Sequence, residues 1–313
     1  MNLQQLRIIG ETLRQNFNLT EVANALHTSQ PGVSRHIKDL EGELGIEIFI
    51  RRGKRLLGLT EPGKELAAVV DRILLDVHNL RRIADQFANR ETGNFVVATT
   101  HTQARYALPQ IIKWFKTDYP KVHLALHQGS PQEIAEQLVG GEADIGIATE
   151  QLDRVPELVT FPFYSWQHAL IVPPGHPLCR SAALTLRQIS DYPIITYHHG
   201  FTGRTHIDRA FAEDGLVPDI VLSAIDADVI KTYVELGLGV GIVASMAYSA
   251  EKDHGLMMIP VPHLFPESTT HLAVRRGTYL RSYVLAFIEK ICPEIGEEKL
   301  RTAIQQPNSP EPV

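Results

Sequence analysis

The chain has 313 residues, a length at which a single compact core rarely suffices, so we predict two or three domains. Its 44% hydrophobic and 21% charged residues are typical of a soluble globular protein. It has no signal-peptide pattern and no apolar run near the roughly 18 residues of a membrane span, so a cytoplasmic protein without a membrane partner is expected. The two cysteines, Cys179 and Cys292, lie far apart and suggest neither a disulfide framework nor a cysteine zinc site.

The net charge of −6 is divided unequally along the chain. Residues 1–90 carry 13 Lys and Arg against 11 Asp and Glu, a balance of +2, whereas the remainder has a balance of −8. Basic charge therefore gathers at the N-terminal end, where it favours a phosphate-contacting surface. Because so small an asymmetry also arises by chance, it only supports the motifs described next.

Periodicity divides the chain into regions. Short helical patterns and a basic turn occupy residues 1–59, and one long helical pattern occupies 60–88. From residue 93 to 292, β-rich runs alternate with helical runs, which is typical of an α/β domain with a largely parallel sheet. The polar, proline-bearing tail at 304–313 is predicted to be flexible.

The first region has the pattern of a helix-turn-helix. Asn18 is predicted to cap its second helix and Ser29 its third. In the third helix Val33, Ile37 and Leu40 repeat at i, i+4 and i+7, so they are predicted to face the core. The opposite face can bond base edges and phosphates. The DNA contacts predicted for this helix and its turn are Thr28, Ser29, Gln30, Pro31, Ser34, Arg35 and Lys38.

A basic β-ribbon is predicted after the third helix. Residues 46–50 read as a strand, 51–55 as a tight turn with four positive charges, and 56–59 as the returning strand. Such a wing would lie along the DNA backbone. Its predicted phosphate contacts are Arg51, Arg52, Lys54 and Arg55.

A small helical bundle with a solvated basic loop is the alternative interpretation of these sixty residues. Cap, tight turn, polar-faced short helix and basic wing nevertheless follow one another in the order that DNA recognition requires. We therefore predict a winged helix-turn-helix that reads double-stranded promoter DNA.

Residues 60–88 are predicted to form a linker and dimerisation helix capped by Thr60. Its apolar residues follow at alternating steps of four and three, the spacing of a coiled-coil seam. The alternative is an amphipathic helix packed on its own domain. We favour pairing because a dimer supplies two recognition helices to a two-fold symmetric operator. The seam residues are Leu66, Val70, Ile73, Val77, Leu80, Ala84 and Phe87.

Several of these motifs resemble the LysR-type regulator family. The long helix and the α/β remainder fit that family's layout, so the resemblance covers nearly the whole chain. It implies a two-subdomain, periplasmic-binding-protein-like effector domain, RNA polymerase as a partner, and a homodimer or homotetramer. The matching stretches are 29–35, Leu40-Glu41, Leu44-Gly45, Phe49 and 59–63.

Polar residues follow several predicted strands of the α/β region. A strand over 95–99 ends before Thr100 and Thr102, and a helix is predicted from Ala104 to Phe115. Ligands of open α/β sheets bind at the carboxyl ends of strands, so hydroxyl and amide groups there, without Lys or Arg, suit sulfate, carboxylate or phosphate. The alternative, equally favoured by the spacing, is that the two threonines only cap the helix. Trp166 stands in a short polar stretch before another predicted strand.

Within the LysR-type family, the sensing end resembles the CysB-like branch over 98–106, 127–131, 201–204 and 226–233. Parts of the DNA-reading end look closer to the Cbl-type members of that branch than to CysB. The resemblance implies control, mainly activation, of genes for sulfur assimilation and for sulfonate use during sulfate starvation. It implies no cofactor, but an effector such as acetylserine, sulfate or thiosulfate, or adenosine phosphosulfate. The implied ligand residues are Thr100, Thr102, Gln103, Thr149, Trp166 and Thr202.

The same resemblance implies two crossings between subdomains, near 161–165 and 264–270. Subdomain one would comprise 93–163 and 269–292, and subdomain two 164–268. We expect ligand binding to change how far the cleft between them closes. Ile225 departs from the branch, because a polar residue is expected before Asp226.

An enzyme, a solute-binding protein and a LysR-type regulator of another pathway are the alternatives. Ser130 and Ser245 lack a nucleophile-elbow pattern. A solute-binding protein would need a signal peptide and no DNA-binding domain. No His-x-x-x-His helix or paired-carboxylate motif accompanies the candidate histidines, which are His168, His176, His198 and His199.

Overall fold

The computed structural model describes residues 1–53, 55–88, 92–181 and 183–305. The chain divides into two compact units, Met1–Ala84 and Asp85–Val313. Lys54 of the predicted wing and residues 306–313 of the predicted tail lie outside the described residues. Within these ranges no helix is both long and apolar enough to cross a membrane.

The N-terminal unit is a winged helix-turn-helix. The structure confirms the three predicted caps: Asn18 accepts from the Thr20 N–H at 3.1 Å, Ser29 from Gly32 at 3.3 Å, and Thr60 from Gly63 at 3.0 Å. Each cap satisfies a backbone donor that a helix start leaves free. The elements are α1 (Leu3–Arg14), α2 (Leu19–Ala25), α3 (Gln30–Leu44), the antiparallel strands β1 (Phe49–Arg52) and β2 (Arg55–Leu59), and α4 (Glu61–Ala88).

The first wing strand begins later than the predicted 46–50. After Gly45, which ends α3 in a left-handed conformation, the Ile46 N–H bonds the Glu41 carbonyl at 3.2 Å. The Glu41 carboxylate accepts from the N–H groups of Ile48 at 2.9 Å and Phe49 at 3.3 Å. These bonds hold residues 46–48 against the end of α3, so strand pairing starts only at Phe49.

The linker helix α4 uses the two halves of its predicted seam differently. Val70 is buried, and Leu66 and Ile73 pack against the core of the N-terminal unit. This half therefore fits the interpretation of a helix packed on its own domain. Leu80 and Phe87 are 66% and 72% exposed, so these two seam side chains lie open to solvent in the single chain. Pairing of two copies through it stays a prediction.

The second unit contains two five-stranded sheets. The first has the order β4-β3-β5-β12-β6, with β3, β4 and β5 parallel and β12 antiparallel to both of its neighbours. Its strands are β3 (Gly93–Thr99), β4 (Val122–Gln128), β5 (Ile145–Ala148), β6 (Leu158–Trp166) and β12 (Ser268–Arg275). The second sheet has the order β11-β7-β10-β8-β9, formed by β7 (His168–Val172), β8 (Ile194–Tyr197), β9 (Ile220–Ala224), β10 (Val240–Ala244) and β11 (Met257–Pro260).

Helices cover both sheets, and the predicted fold class is confirmed: an α/β protein with a winged helix-turn-helix, a long linker helix and a two-sheet effector-type domain. Each sheet has its own buried clusters of apolar side chains. The α-helices of this unit are α5 (Pro109–Asp118), α6 (Pro131–Gly140), α7 (Leu186–Ser190), α8 (Arg204–Glu213), α9 (Ala227–Glu235), α10 (Ser282–Ile291) and α11 (Glu297–Gln305).

The first crossing between subdomains differs from the predicted 161–165, whereas the second overlaps the predicted 264–270. Trp166 ends β6 in the first sheet and His168 begins β7 in the second, so the chain crosses at Gln167. It returns between Pro260 and Ser268. Because β6 pairs with β12 as far as Trp166, the first boundary moves by a few residues and Trp166 ends a strand.

The first subdomain also extends beyond the predicted end at residue 292. Helix α11 buries Leu300 and Ile304 in the same apolar cluster as Phe95 of β3. The predicted flexible tail from 304 is therefore wrong for 304 and 305, because an apolar side chain in a polar-looking segment packs on the core.

The helix predicted from Ala104 to Phe115 is broken in two. Residues Gln103–Ala107 form a π-helical turn, closed by a bond from the Leu108 N–H to the Gln103 carbonyl at 3.0 Å. Helix α5 then begins at Pro109, whose missing N–H is tolerated only in a first helical turn. This π-helical turn follows the end of β3 by three residues, and such π-helical segments are frequent at functional sites.

Candidate functional site

One face of α3 is core and the other is open. Val33, Ile37 and Leu40 are buried as predicted. The Arg35 side chain is 84% exposed and, among the described residues, forms an ion pair with Asp39 at 3.8 Å. This leaves its guanidinium available for the paired acceptors of a guanine edge. Ser34 is half-buried, and the other predicted contacts on this surface are exposed: Thr28, Ser29, Gln30, Pro31 and Lys38.

The wing separates its arginines into two groups. Arg52 and Arg55 face each other across the ribbon and are exposed, as a phosphate contact requires. Arg51 instead bonds Glu41 at 2.7 Å, with both side chains largely buried. Since Glu41 also holds the N–H groups that precede the wing, Arg51 stabilises the fold, and its predicted phosphate contact loses support.

Thr270 joins three of the predicted ligand residues in the second unit. Its buried hydroxyl accepts from Gln103 Nε2 at 3.2 Å and from the Trp166 indole N–H at 3.1 Å. The Thr149 hydroxyl lies 3.3 Å away. Sequence analysis missed Thr270 because it lies within the antiparallel strand β12, whereas the search followed the ends of parallel strands.

Tyr164 orients the Gln103 side chain. Its hydroxyl donates to Gln103 Oε1 while Nε2 of the same amide donates to Thr270, so both ends of the amide are held. Burial raises the Tyr164 pKa to about 12, which keeps the phenol neutral and a donor. Tyr164 also reaches Met246 Sδ, at 3.3 Å, in the other subdomain. It is a further site residue that sequence analysis missed.

A second pair of predicted residues connects the two subdomains directly. The hydroxyls of Thr102 and Thr202 lie 3.4 Å apart, and both side chains are buried. Thr202 has a φ of +43°, which a β-branched residue adopts only under strain. Backbone strain of this kind concentrates at ligand sites. Thr100 is buried at the end of β3, but among the described residues no hydrogen bond ties its side chain to the other five.

The cleft is lined by neutral donors. Burial lowers the His168 pKa to about 4, so its imidazole, whose Nε2 lies 3.4 Å from the Thr202 carbonyl oxygen, is uncharged near neutral pH. The buried Arg204 guanidinium is bonded to the Tyr197 carbonyl and to Asp208.

Ile225, which departs from the branch, is 54% exposed, and Asp226 caps α9. Neither side chain therefore forms a buried wall of the cleft. Within the described ranges no three His, Cys, Asp or Glu side chains form a metal site.

One acidic side chain enters this neutral surface. The Glu150 carboxyl, directly after Thr149, accepts from the backbone N–H of Gly203. Burial raises its pKa to about 7, although hydrogen bonding to backbone N–H groups lowers it. Its second oxygen, Oε2, is buried and has no partner among the described residues. Glu150 is the third site residue that the sequence pattern did not reveal.

Glu150 makes folding stability depend on pH. Its pKa in the folded chain lies above the ordinary 4.5, so its contribution is fully present below about pH 4.5 and is lost as the pH rises through about 7. Relative to Glu150→Gln, the wild type is expected to lose about 3 kcal/mol of unfolding free energy across this window. Denaturant unfolding at several pH values measures it. Glu142→Gln, at an exposed carboxylate, should follow the wild type, and a difference from Glu150→Gln that is constant with pH would contradict the expectation.

Comparisons with known proteins identify both units. Residues 3–64 match the bacterial regulatory helix-turn-helix protein, lysR family, and residues 88–292 match the LysR substrate binding domain. The chain belongs to the LysR family. This LysR-family protein is a DNA-binding transcription regulator with a small-molecule-binding domain, and not an enzyme.

Several relatives match this LysR-family regulator over almost its whole length. The HTH-type transcriptional regulator SsuR of Burkholderia cenocepacia is 59% identical over 98% of this chain and 99% of its own. The regulator Cbl of Escherichia coli is 53% identical over 99% and 98%, and CysB of Burkholderia cenocepacia is 52% identical over 97% of both chains. The predicted CysB-like branch, near Cbl, is thereby confirmed.

A solved structure matches the second unit. The crystal structure of the cofactor-binding domain of the Cbl transcriptional regulator superimposes with a TM-score of 0.67 at 49% sequence identity. The match covers 69% of this chain and 95% of that domain. The two-sheet architecture that holds Thr102 and Thr202 together is therefore that of a LysR-family effector domain.

Proposed function

We propose that this regulator mainly activates genes for sulfur assimilation and for sulfonate use during sulfate starvation, under the control of a small sulfur-containing anion in the cleft. Membership of the CysB-like branch supports the pathway. The observation that carries the ligand proposal is the meeting of Thr102 and Thr202, which belong to different subdomains, at 3.4 Å. A ligand bonded to both hydroxyls would contact both halves of the domain at once.

The donor set supports an anion bound through neutral groups. Hydroxyl, carboxamide and indole N–H groups can each donate a hydrogen bond to an oxyanion. Thr149, Gln103 and Trp166 supply one group of each kind, and all three meet at the Thr270 hydroxyl. Hydrogen bonds to a charged acceptor are stronger than the neutral bonds they would replace. Candidate ligands are acetylserine, sulfate or thiosulfate, and adenosine phosphosulfate; no cofactor is proposed.

Control of DNA reading would follow from subdomain closure. A ligand that bonds both Thr102 and Thr202 favours the arrangement of the two subdomains in which both hydroxyls reach it. The ligand can shift the populations of the two subdomain arrangements only as far as its affinities for them differ. The exposed Leu80 and Phe87 support pairing of two α4 helices, in a dimer or tetramer. We further propose that the regulator binds promoter DNA, contacts RNA polymerase and acts in the cytoplasm.

Thr202→Val tests the ligand proposal, because it removes the hydroxyl while keeping the β-branched shape. We expect affinity for the bound metabolite to fall by roughly 10- to 100-fold, the cost of one hydrogen bond to a charged group. Isothermal titration calorimetry against the candidate ligands, after a thermal-shift screen, measures it. The metabolite's effect on operator binding should be lost as well.

Thr117→Val is the matched control, since Thr117 is exposed on α5 and its hydroxyl donates to the Lys113 carbonyl within the same helix. It should bind ligand like the wild type. Wild-type affinity in Thr202→Val would reject the cleft. If no sulfur compound binds the wild type, a LysR-type regulator of another pathway becomes the better reading.

A further inference from the structure

Glu150 connects the two subdomains at the point where the predicted ligand residues meet. It follows β5 of the first sheet by two residues, directly after Thr149. Its carboxyl accepts from the N–H of Gly203, which directly precedes α8 in the second subdomain. The bond therefore lies beside the Thr102 and Thr202 hydroxyls and crosses the same cleft.

Glu150 occupies the Gly203 N–H, which at the start of α8 forms a cradle for an anion. Thr202 and Gly203 have positive φ values of +43° and +73°. They also stand at the start of α8, where the helix dipole favours negative charge. A Cβ on Gly203 would lie 2.6 Å from the His168 ring, so the chain can hold this shape only with glycine.

We propose that Glu150 is an internal competitor of the anionic ligand: its carboxylate fills the cradle at Gly203, and an incoming anion must displace it. The inference rests on the proposed function, since it concerns the same cleft. It assigns Glu150 a role in specificity and regulation, by which an anion binds only if it outcompetes a carboxylate of the protein.

Electrostatics supports competition rather than shared occupancy. The surrounding donors are neutral, and two negative charges at close range in a buried site repel each other much more strongly than in water. Burial already raises the Glu150 pKa to about 7, so this carboxylate is held at a cost even without a second anion. Its Oε2, without a partner among the described residues, gains no further bond.

Displacement would also change how the subdomains are joined. When the anion takes the cradle, the direct bond from Gly203 to Glu150 is exchanged for bonds from both subdomains to the ligand. Binding is thereby coupled to closure through a defined exchange of acceptors at the start of α8.

Glu150→Gln and Glu150→Ala test the competition in the full chain, with inorganic sulfate as the probe in calorimetry. Both variants remove the charge, so both are expected to bind sulfate at least about tenfold more tightly than the wild type. Glu142→Gln, an exposed site in the same subdomain, should leave sulfate affinity unchanged. Unchanged or weaker binding in the Ala variant would overturn the proposal, since weaker binding means that Glu150 helps to hold the anion. Absence of sulfate binding in every variant would overturn it too.

Hydrogen exchange of the Gly203 amide gives a readout that needs no ligand. Glu150→Ala should accelerate this exchange by an order of magnitude or more, and saturating sulfate should slow it again; an unchanged rate contradicts an occupied cradle. Failure of the proposed function looks different: no sulfur metabolite binds, or Thr202→Val binds as tightly as the wild type, whatever the Glu150 variants do.

Discussion

Arg35→Ala is expected to weaken binding to specific operator DNA by roughly 10- to 100-fold, because one bidentate contact to a base contributes about 1–3 kcal/mol of discrimination. The Arg35 guanidinium is among the most open cationic groups of the recognition surface, and the core-facing residues of α3 do not depend on it. Fold and stability should therefore remain those of the wild type.

Fluorescence anisotropy with the operator and with an unrelated duplex measures the effect. The loss should appear for the operator and be smaller for the unrelated duplex, where phosphate contacts dominate. Arg187→Ala, at an exposed arginine on α7, is the charge-matched control and should bind both duplexes normally. Ligand affinity should be unchanged in both variants. Equal operator affinity of Arg35→Ala and wild type would remove Arg35 from the reading face.

Thr270→Val is expected to impair stability and ligand response together. Valine keeps the shape but leaves the Gln103 amide and the Trp166 indole N–H without their acceptor in a buried site. Each unsatisfied buried donor costs about 1–3 kcal/mol, so unfolding free energy should fall by roughly 2–6 kcal/mol. Affinity for the metabolite should fall as well, since Gln103 loses one of the two bonds that orient it.

Two variants separate these effects. Thr270→Ser restores the hydroxyl and should recover most of the stability and the ligand affinity. Thr269→Val changes the neighbouring, half-buried residue, whose hydroxyl meets Ser165 at 3.1 Å, and should alter neither by much. Chemical unfolding measures the stability of these variants, and calorimetry on the same samples measures their ligand affinity. If Thr270→Val keeps wild-type stability and binding, the hydroxyl does not organise the cleft.

Features specified by neighbouring residues could be predicted from the sequence. The caps at Asn18, Ser29 and Thr60 depend on a side chain reaching an N–H two or three residues away. The buried face of α3 follows from helical periodicity in the same way. Local sequence thus predicted the DNA-reading unit and the alternating α/β region, and the family resemblance predicted the two-subdomain layout.

The cleft was predicted in part. Thr100 and Thr102 follow a strand end, where the topology of open sheets concentrates ligand groups, and the ligand roles of Gln103, Thr149, Trp166 and Thr202 came from the family resemblance. Hydrogen bonding does bring Thr102 to Thr202, and Gln103, Thr149 and Trp166 to Thr270. Their binding of a ligand stays a prediction.

What the local sequence left open depends on contacts between distant residues. Thr270 and Glu150 acquire their roles only when β12 joins β5 and when the start of α8 meets the end of β5. Arg51 belongs to the fold because Glu41 lies beside it, and the first half of α4 packs inward because the core of its own unit covers it. The winged helix-turn-helix can be predicted because its residues lie in one continuous stretch of the chain. The cleft is formed by residues up to 168 positions apart (Thr102 to Thr270), so no local sequence pattern predicts it.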